Sequence, residues 1–360
     1  MDGLIDDVGA LRELVAELGR ADLVALDTEF VRERTYYPQL CLVQVATESV
    51  TACVDCLAGL DLAPFFAALA RPGTTWVLHS GRQDLEVVRQ YANVLPARLI
   101  DTQVASALVG HAAQIGLREA LSIALGIDIG KDHTRADWSA RPLPEGPLRY
   151  ALDDVRHLLA LWHTLEEKLG AAGRLEWLAE DCARLLEDAA RDDVLPIWYR
   201  LKGVQGLTAD EQRAALALVL WRERAAARLD RPRRWIMSDE LVIRIAQARP
   251  TSAAALASVA EMPKRLAQRH GAEIVARLAA RDDPDLEQIL ARAGSGERAD
   301  RDALKALQAK VKARAAELGI EAEVLASRRD LAALLRGVPP AHLVSGWRAA
   351  EISALREETA

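Results

Sequence analysis

LVALDTEF, residues 23–30, is an apolar run with two acids set two positions apart. Side chains along a strand alternate between faces with a period of two, so Asp27 and Glu29 emerge on the same face. Two anions so placed repel each other and lose hydration unless a positive charge lies between them, and a divalent metal is the simplest such charge. Taken alone, the pair is equally compatible with a carboxylate at a solvent-exposed strand end.

Three more β-rich runs follow: CLVQVAT (41–47), VTACVDC (50–56) and TTWVLHS (74–80). Helical patterns then occupy GRQDLEVVRQYA (81–92) and GPLRYALDDVRHLLALWHTLEEKL (146–169). Strands alternating with helices predict an α/β domain. The first three strands leave no room for helices between them, so the sheet should be mixed and open with an antiparallel meander.

After a break at Gly170-Ala-Ala-Gly173 an amphipathic helix runs to about Asp192, and VLPIWYRLKGVQG (194–206) follows. Almost nothing beyond looks like a strand. Thr208-x-x-Glu211 is a capping-box pattern opening a helix to about Leu229, Pro232 stops it, and Ser238 is placed to cap DELVIRIAQA (239–248). Gly294-Ser-Gly296 looks like a flexible joint before a last helical unit from about Arg301. The domains expected are 1–192 (α/β), a linker 193–206, a helical domain 207–287, a linker 288–300 and a second helical domain 301–360.

Composition narrows the classes. The chain has 360 residues, 51% of them hydrophobic, and no charge-rich block of the kind that stays unfolded. The N-terminus is acidic and periodic, unlike a signal or transit peptide, and no apolar stretch approaches bilayer length, so a cytoplasmic protein without membrane association is expected. Four cysteines make no disulfide framework. Cys53 and Cys56 form a C-x-x-C, but it lies in an apolar strand with no second pair to complete a zinc site. The net charge of −7 argues against an all-over cationic nucleic-acid coat. Between Leu207 and Arg281, however, Arg and Lys outnumber Asp and Glu, with a knot at Arg228, Arg231, Arg233 and Arg234.

Two further elements carry candidate chemistry. Behind the strand ending near His79, Ser80 and Gln83 are spaced as a capping box, and Asp84 falls in the first helical turns, where an acid also simply complements the helix dipole. Tyr150 and Asp154, four apart on a helix, share one face, while Asp153 is rotated away from it. A partly buried Tyr beside a solvated acid would read the same way.

In combination the order is more specific. Asp27-x-Glu29, Asp84 and Tyr150-x-x-x-Asp154 resemble the three exonuclease motifs of the DEDD superfamily in its tyrosine-bearing branch. LDTEF, YYPQLCLVQVAT, CLAGLDLAPF, LIDTQVASAL, TRADWSARPL and YALDDV narrow the resemblance to the ribonuclease D family. WRERAAARLDRPRRWIMSDELVIRIAQARPTSAAAL (221–256) resembles an HRDC domain, and the tail from Lys305 through Ser327-Arg-Arg-Asp-Leu331 to Gly346-Trp347 a more divergent second one.

The resemblance implies a ribonuclease H-like exonuclease domain, a mixed sheet flanked by helices, followed by two small all-α domains. It implies 3′→5′ trimming of structured RNA such as tRNA precursors, with nucleoside 5′-monophosphates released. Asp27, Glu29, Asp84 and Asp154 would ligate two divalent ions, Mg²⁺ or Mn²⁺, and Tyr150 would orient the water. Hard carboxylate oxygens suit such ions, whereas a phenol with an ordinary pKa near 10 is a poor base. No organic cofactor and a monomer are expected. Thr28, Phe30, His79, Gln83 and Trp138 are candidate contacts of the terminal nucleotide. His79 reads equally as a satisfied strand-end histidine, and Phe30 and Trp138 either stack on a base or belong to the core. Asp101 is expected to cap the helix after it. His133 and Arg135 meet phosphate or lie in a solvated loop. Arg231, Arg233 and Arg234, beside Trp235, form a remote RNA contact or a solvated helix end. The rivals are an exonuclease of single-stranded DNA and a non-catalytic RNA-binding scaffold. Since all the acids precede Gly170, a chain ending near Asp192 is expected to remain active on a simple single strand.

Overall fold

Six strands form one mixed sheet: β1 (Asp2–Ile5), β2 (Leu23–Val31), β3 (Gln39–Ala46), β4 (Thr51–Asp55), β5 (Thr75–Leu78) and β6 (Arg98–Asp101), in the order β1-β4-β3-β2-β5-β6. The computed structural model describes residues 2–130, 136–191, 195–280, 286–287, 289–290 and 300–357. His133, Arg135 and the Gly294-Ser-Gly296 joint lie outside the described residues. The meander β2-β3-β4 is antiparallel as expected, while β1 on β4, β5 on β2 and β6 on β5 are parallel. β1 and β6 were not among the anticipated strands. Each is four residues long and ends on a parallel edge, too short for its periodicity to register.

The helices of this half are α1 (Val8–Leu18), α2 (Ala63–Leu69), α3 (Arg82–Ala92), α4 (Thr102–Leu108), α5 (Leu117–Leu125), α6 (Glu145–Arg156), α7 (Leu158–Ala171) and α8 (Leu175–Ala190). The single helical pattern read over 146–169 is two helices, broken at His157. That break frees α6 to lie across β2, β3 and β4 while α7 packs on β2 and β5. Under α6, Cys41, Leu42, Cys53, Ala151 and Leu152 form a small buried cluster. Cys53 is thus a core thiol, and all four cysteines are free.

The turn into α3 is built differently from the expected Ser80–Gln83 box. The N-cap is Gly81, with no side-chain cap, and Ser80 sits in the left-handed region at φ 61°. A Cβ on Gly81 would come within 2.6 Å of the Leu78 side chain, so only glycine fits the turn. Asp101 does the capping. Its carboxylate accepts from the amides of Ser80 (3.0 Å) and Gly81 (2.9 Å) as well as Gln103 (2.9 Å) at the start of α4.

The second half is helical. α9 (Leu195–Arg200), α10 (Ala209–Leu229), α11 (Arg233–Ile236), α12 (Asp239–Ala248), α13 (Ala253–Ala257) and α14 (Lys264–Ala279) surround their own core, including Leu216, Trp221, Val242 and Ile274. The Thr208–Glu211 capping box and the Ser238 cap are both present. α15 (Arg301–Leu318), α16 (Ala322–Leu325), α17 (Arg328–Leu335), α18 (Ala341–Val344) and α19 (Gly346–Glu357) have no separate core. Leu304, Val311, Leu325, Leu331 and Trp347 join the hydrophobic core of the α/β half, so this unit is fused to it through α8. None of the described helices is long and apolar enough to cross a membrane.

Candidate active site

β2 is interior to the sheet and carries Asp27 and Glu29 towards α6. Asp27 pairs with Gln44 and Glu29 with Leu42, and the register slips by one between Glu29 and Phe30. Such a bulge beside a site re-aims the side chains that follow it. α6 brings Asp154, so that Asp27, Glu29 and Asp154 each offer a carboxylate oxygen within 4.8 Å of the others. Asp84, in the first turn of α3, completes the acids, and Thr28 fixes it by donating from its hydroxyl at 2.5 Å. Tyr150, one turn before Asp154, donates to the Asp154 carboxylate.

The electrostatics follow from this crowding. Burial first, then the charges of Asp84, Asp154 and Glu29, push Asp27 far above the usual carboxylate range. Burial followed by Asp154 and Asp84 pushes Glu29 to about 8. Asp154 is raised to about 7, chiefly by burial, although the Tyr150 hydroxyl opposes the shift. Asp84 is raised to about 6 by burial against the Thr28 hydrogen bond. Burial and the adjacent acids also raise Tyr150, so its phenol stays protonated. A cluster of carboxylates that resist ionising together, with no histidine or thiol among them, matches the donor set of a hard divalent cation.

Asp27, Glu29 and Asp84 line an open cavity of about 540 Å³ together with Thr28, Phe30, Gln83 and Trp138. Among these, Gln83 is exposed and Phe30 half-buried, whereas Trp138 is only 4% exposed and leans on Tyr150 at 6.2 Å between ring centroids. Thr28 is likewise buried and its hydroxyl is committed to Asp84. His79 lies elsewhere: its ring nitrogens meet Thr102 Oγ1 and the Ile115 carbonyl, both at 2.9 Å. It is the satisfied strand-end histidine, tying β5 to the segment before α5. Burial accordingly lowers its pKa.

Sequence reasoning did not single out the clamp behind Trp138. Arg141 binds both carboxylate oxygens of Asp55, at 2.7 and 2.6 Å, and donates to the Trp138 and Cys41 carbonyls. An acid closing the apolar run VTACVDC needs a cationic partner when buried, and that was the available signal. Arg32, Glu33 and Ser80 also line the cavity.

The basic knot meets this rim. Asp230, the left-handed C-cap of α10, accepts from the Tyr36 and Tyr37 amides at 2.9 and 3.1 Å. Tyr36 donates to Glu223 (3.2 Å), and Arg233 pairs with the same carboxylate (2.6 Å) while lying over the Tyr36 ring. Arg233 is therefore part of the docking contact between the helical core and the loop after β2, which the sequence did not reveal. Arg231 and Arg234 are exposed, and Trp235, at 59% exposure, lies under the Arg231 guanidinium.

Comparison with known proteins agrees with both halves. The model of the 3′-5′ exonuclease family matches residues 4–170, and that of the HRDC domain matches 211–278. Ribonuclease D of Gluconacetobacter diazotrophicus is 38% identical over 355 residues, 96% of this chain and 89% of its own length. That of Xanthomonas oryzae is 37% identical over 94% of this chain and 93% of its own. The crystal structure of Escherichia coli RNase D, described as an exoribonuclease involved in structured RNA processing, superposes with a TM-score of 0.81 at 28% identity and covers 99% of each chain.

Proposed function

Because the chain belongs to the ribonuclease D family of 3′→5′ exoribonucleases, we propose that it trims the 3′ ends of structured RNAs, tRNA precursors among them, by two-metal-ion hydrolysis to nucleoside 5′-monophosphates. The observation that carries this reading is the convergence of Asp27, Glu29 and Asp154 within 4.8 Å, beside a cavity lined by Asp27, Glu29 and Asp84. These four carboxylates hold two divalent ions, Mg²⁺ or Mn²⁺. Bound there, such ions supply Lewis acidity at both the attacking and the leaving oxygen of an in-line displacement.

The remaining roles follow from the side chains. Tyr150 stays protonated, so it orients the attacking water by a hydrogen bond and takes no proton itself. Thr28 holds Asp84 in place. Phe30 and Gln83 face the terminal nucleotide, with Trp138 as the wall behind Tyr150. Tyr150→Phe is expected to lower the single-turnover rate about 10²-fold, since it removes a positioned hydrogen bond and no ligand. An unchanged rate would leave Tyr150 a packing residue.

The exposed Arg231 and Arg234 grip RNA phosphates away from the cavity. Neutralising both should flatten the slope of log affinity against log salt by about 1.4 where the contacts are to single-stranded RNA and about 1.8 where they are to duplex, with turnover on a short oligonucleotide unaltered. A salt series in EDTA with a tRNA-like RNA measures it, and an unchanged slope sinks the contact. The function as a whole is tested with end-labelled RNA and DNA of equal sequence, with and without EDTA. Release of 5′-monophosphates from the RNA 3′ end only in the presence of metal is expected. Preference for the DNA would instead assign a single-stranded DNA exonuclease.

A further inference from the structure

Gln44 is fully buried, at 0% exposure, in the middle of β3. Neither its Nε2 nor its Oε1 makes a hydrogen bond among the described residues. A buried amide without partners is destabilising relative to an apolar side chain of the same shape. Its same-face neighbours on the strand, Leu42 and Ala46, are buried and apolar. Its place in the sheet is specific. Gln44 is the direct cross-strand partner of Asp27 on one side and of Cys53 on the other. Directly opposed residues of antiparallel strands project to the same face with Cβ atoms about 5 Å apart. That face is closed by α6, whose Ala151 and Leu152 pack on Leu42 and Cys53. The Gln44 amide is thus sealed into a row, Asp27-Gln44-Cys53, with Asp27 as its only carboxylate neighbour along the row.

We propose that Gln44 is a positioning residue for the metal site: its side-chain N–H, unpartnered in this structure, donates to the Asp27 carboxylate once a cation is bound, so that the remaining oxygen is aimed at the cation. The assignment rests on the reading of Asp27 as a metal ligand. It gives Gln44 a role that an apolar residue cannot fill: groups that orient a ligand from behind change metal affinity without touching the metal. The Asp27 oxygen turned towards Gln44 is then no longer free to swing between the other acids while the cation is held.

The test compares wild type, Gln44→Met, Gln44→Asn and Asp27→Asn in the full chain, measuring calorimetric Mn²⁺ affinity and the Tm of the metal-free protein. Gln44→Met keeps the shape and removes both orphaned atoms, so its metal-free Tm should equal or exceed wild type, while Mn²⁺ affinity falls 10- to 100-fold. Gln44→Asn withdraws the amide by one methylene and should also lose affinity, which keeps the test decisive if the Met variant fails to fold. A purely structural amide, satisfied by a buried water, would give the opposite pattern: lowered Tm and Mn²⁺ affinity within twofold of wild type. That outcome, with Asp27→Asn still losing the metal, overturns the role of Gln44 alone. A wild-type chain that binds no Mn²⁺ overturns the reading of the site and the role of Gln44 together.

Discussion

Asp27→Asn is expected to reduce hydrolysis at least about 10³-fold while making the metal-free protein more stable. The rate loss follows from removing one ligand of a site whose cations contribute several kcal/mol to the transition state, at about 1.4 kcal/mol per tenfold. The gain in stability follows from the same crowding that makes the site useful. Asp27 is raised by burial and by Asp84, Asp154 and Glu29, and in turn helps to crowd its neighbours. Glu29 and Asp154 stand at about 8 and about 7. For carboxylates raised on folding the sign is fixed: the folded state binds more protons than the unfolded one. The penalty is absent below the unfolded values near 4 and fully present above the folded ones. The Tm of the chain in EDTA should therefore fall as pH rises from about 5 to about 8, and less steeply in Asp27→Asn. At pH 8 the variant should exceed wild type by at least about 1 kcal/mol, or roughly 1–2 °C. Near-wild-type turnover, or a variant less stable than wild type in EDTA at pH 8, would remove Asp27 from the metal site.

How far the sequence carried this site depends on range. Asp27, Glu29, Tyr150 and Asp154 share faces because of local periodicities, two in a strand and 3.6 in a helix, and such relations are written in neighbouring residues. The meander, the caps at Thr208 and Ser238, and Asp101 as a cap were legible for the same reason. What failed was non-local. β1 and β6 exist because β4 and β5 offer each of them an edge, a pairing that neither short segment announces by itself. His79 looked like a site residue because it precedes Asp84 in sequence, but its partners Thr102 and Ile115 come from distant segments. Arg233 belonged to an evident basic knot. Nothing in its own segment indicated that Glu223 and Tyr36 would hold it. Gln44 was quoted within a family-like stretch, yet its position opposite Asp27 depends on strand register, which only the sheet supplies.

The docked C-terminal helices argue against one expectation. A chain ending at residue 192 contains every acid, yet it should not give a stable exonuclease, because α15 to α19 complete the core from which the acids are held. Trp177 on α8 stacks on Trp347 with ring centroids 4.2 Å apart and planes within 5°. Beside them Asp181, 3% exposed, is held by Arg348, 7% exposed, through both guanidinium nitrogens. Arg348 also donates to the Val324 carbonyl. Removing residues 193–360 uncovers Trp177 and leaves Asp181 with Arg184 at 3.4 Å as its remaining ion pair. Removing one partner of a buried pair typically costs 3–5 kcal/mol, because the other charge stays desolvated. Arg348→Ala alone should then lower stability by about 3 kcal/mol and Tm by roughly 4 °C, with catalysis at low temperature near wild type. Arg348→Met, which fills the space without the charge, should lose about as much, since the cause is a buried Asp181 left with only the longer Arg184 contact, not a cavity. Thermal unfolding of the two variants decides the matter. A Tm within about 1 °C of wild type in either, or a soluble and cooperatively folded chain ending at residue 192, would mean that the C-terminal helices only rest on the catalytic half and that the acids are held without them.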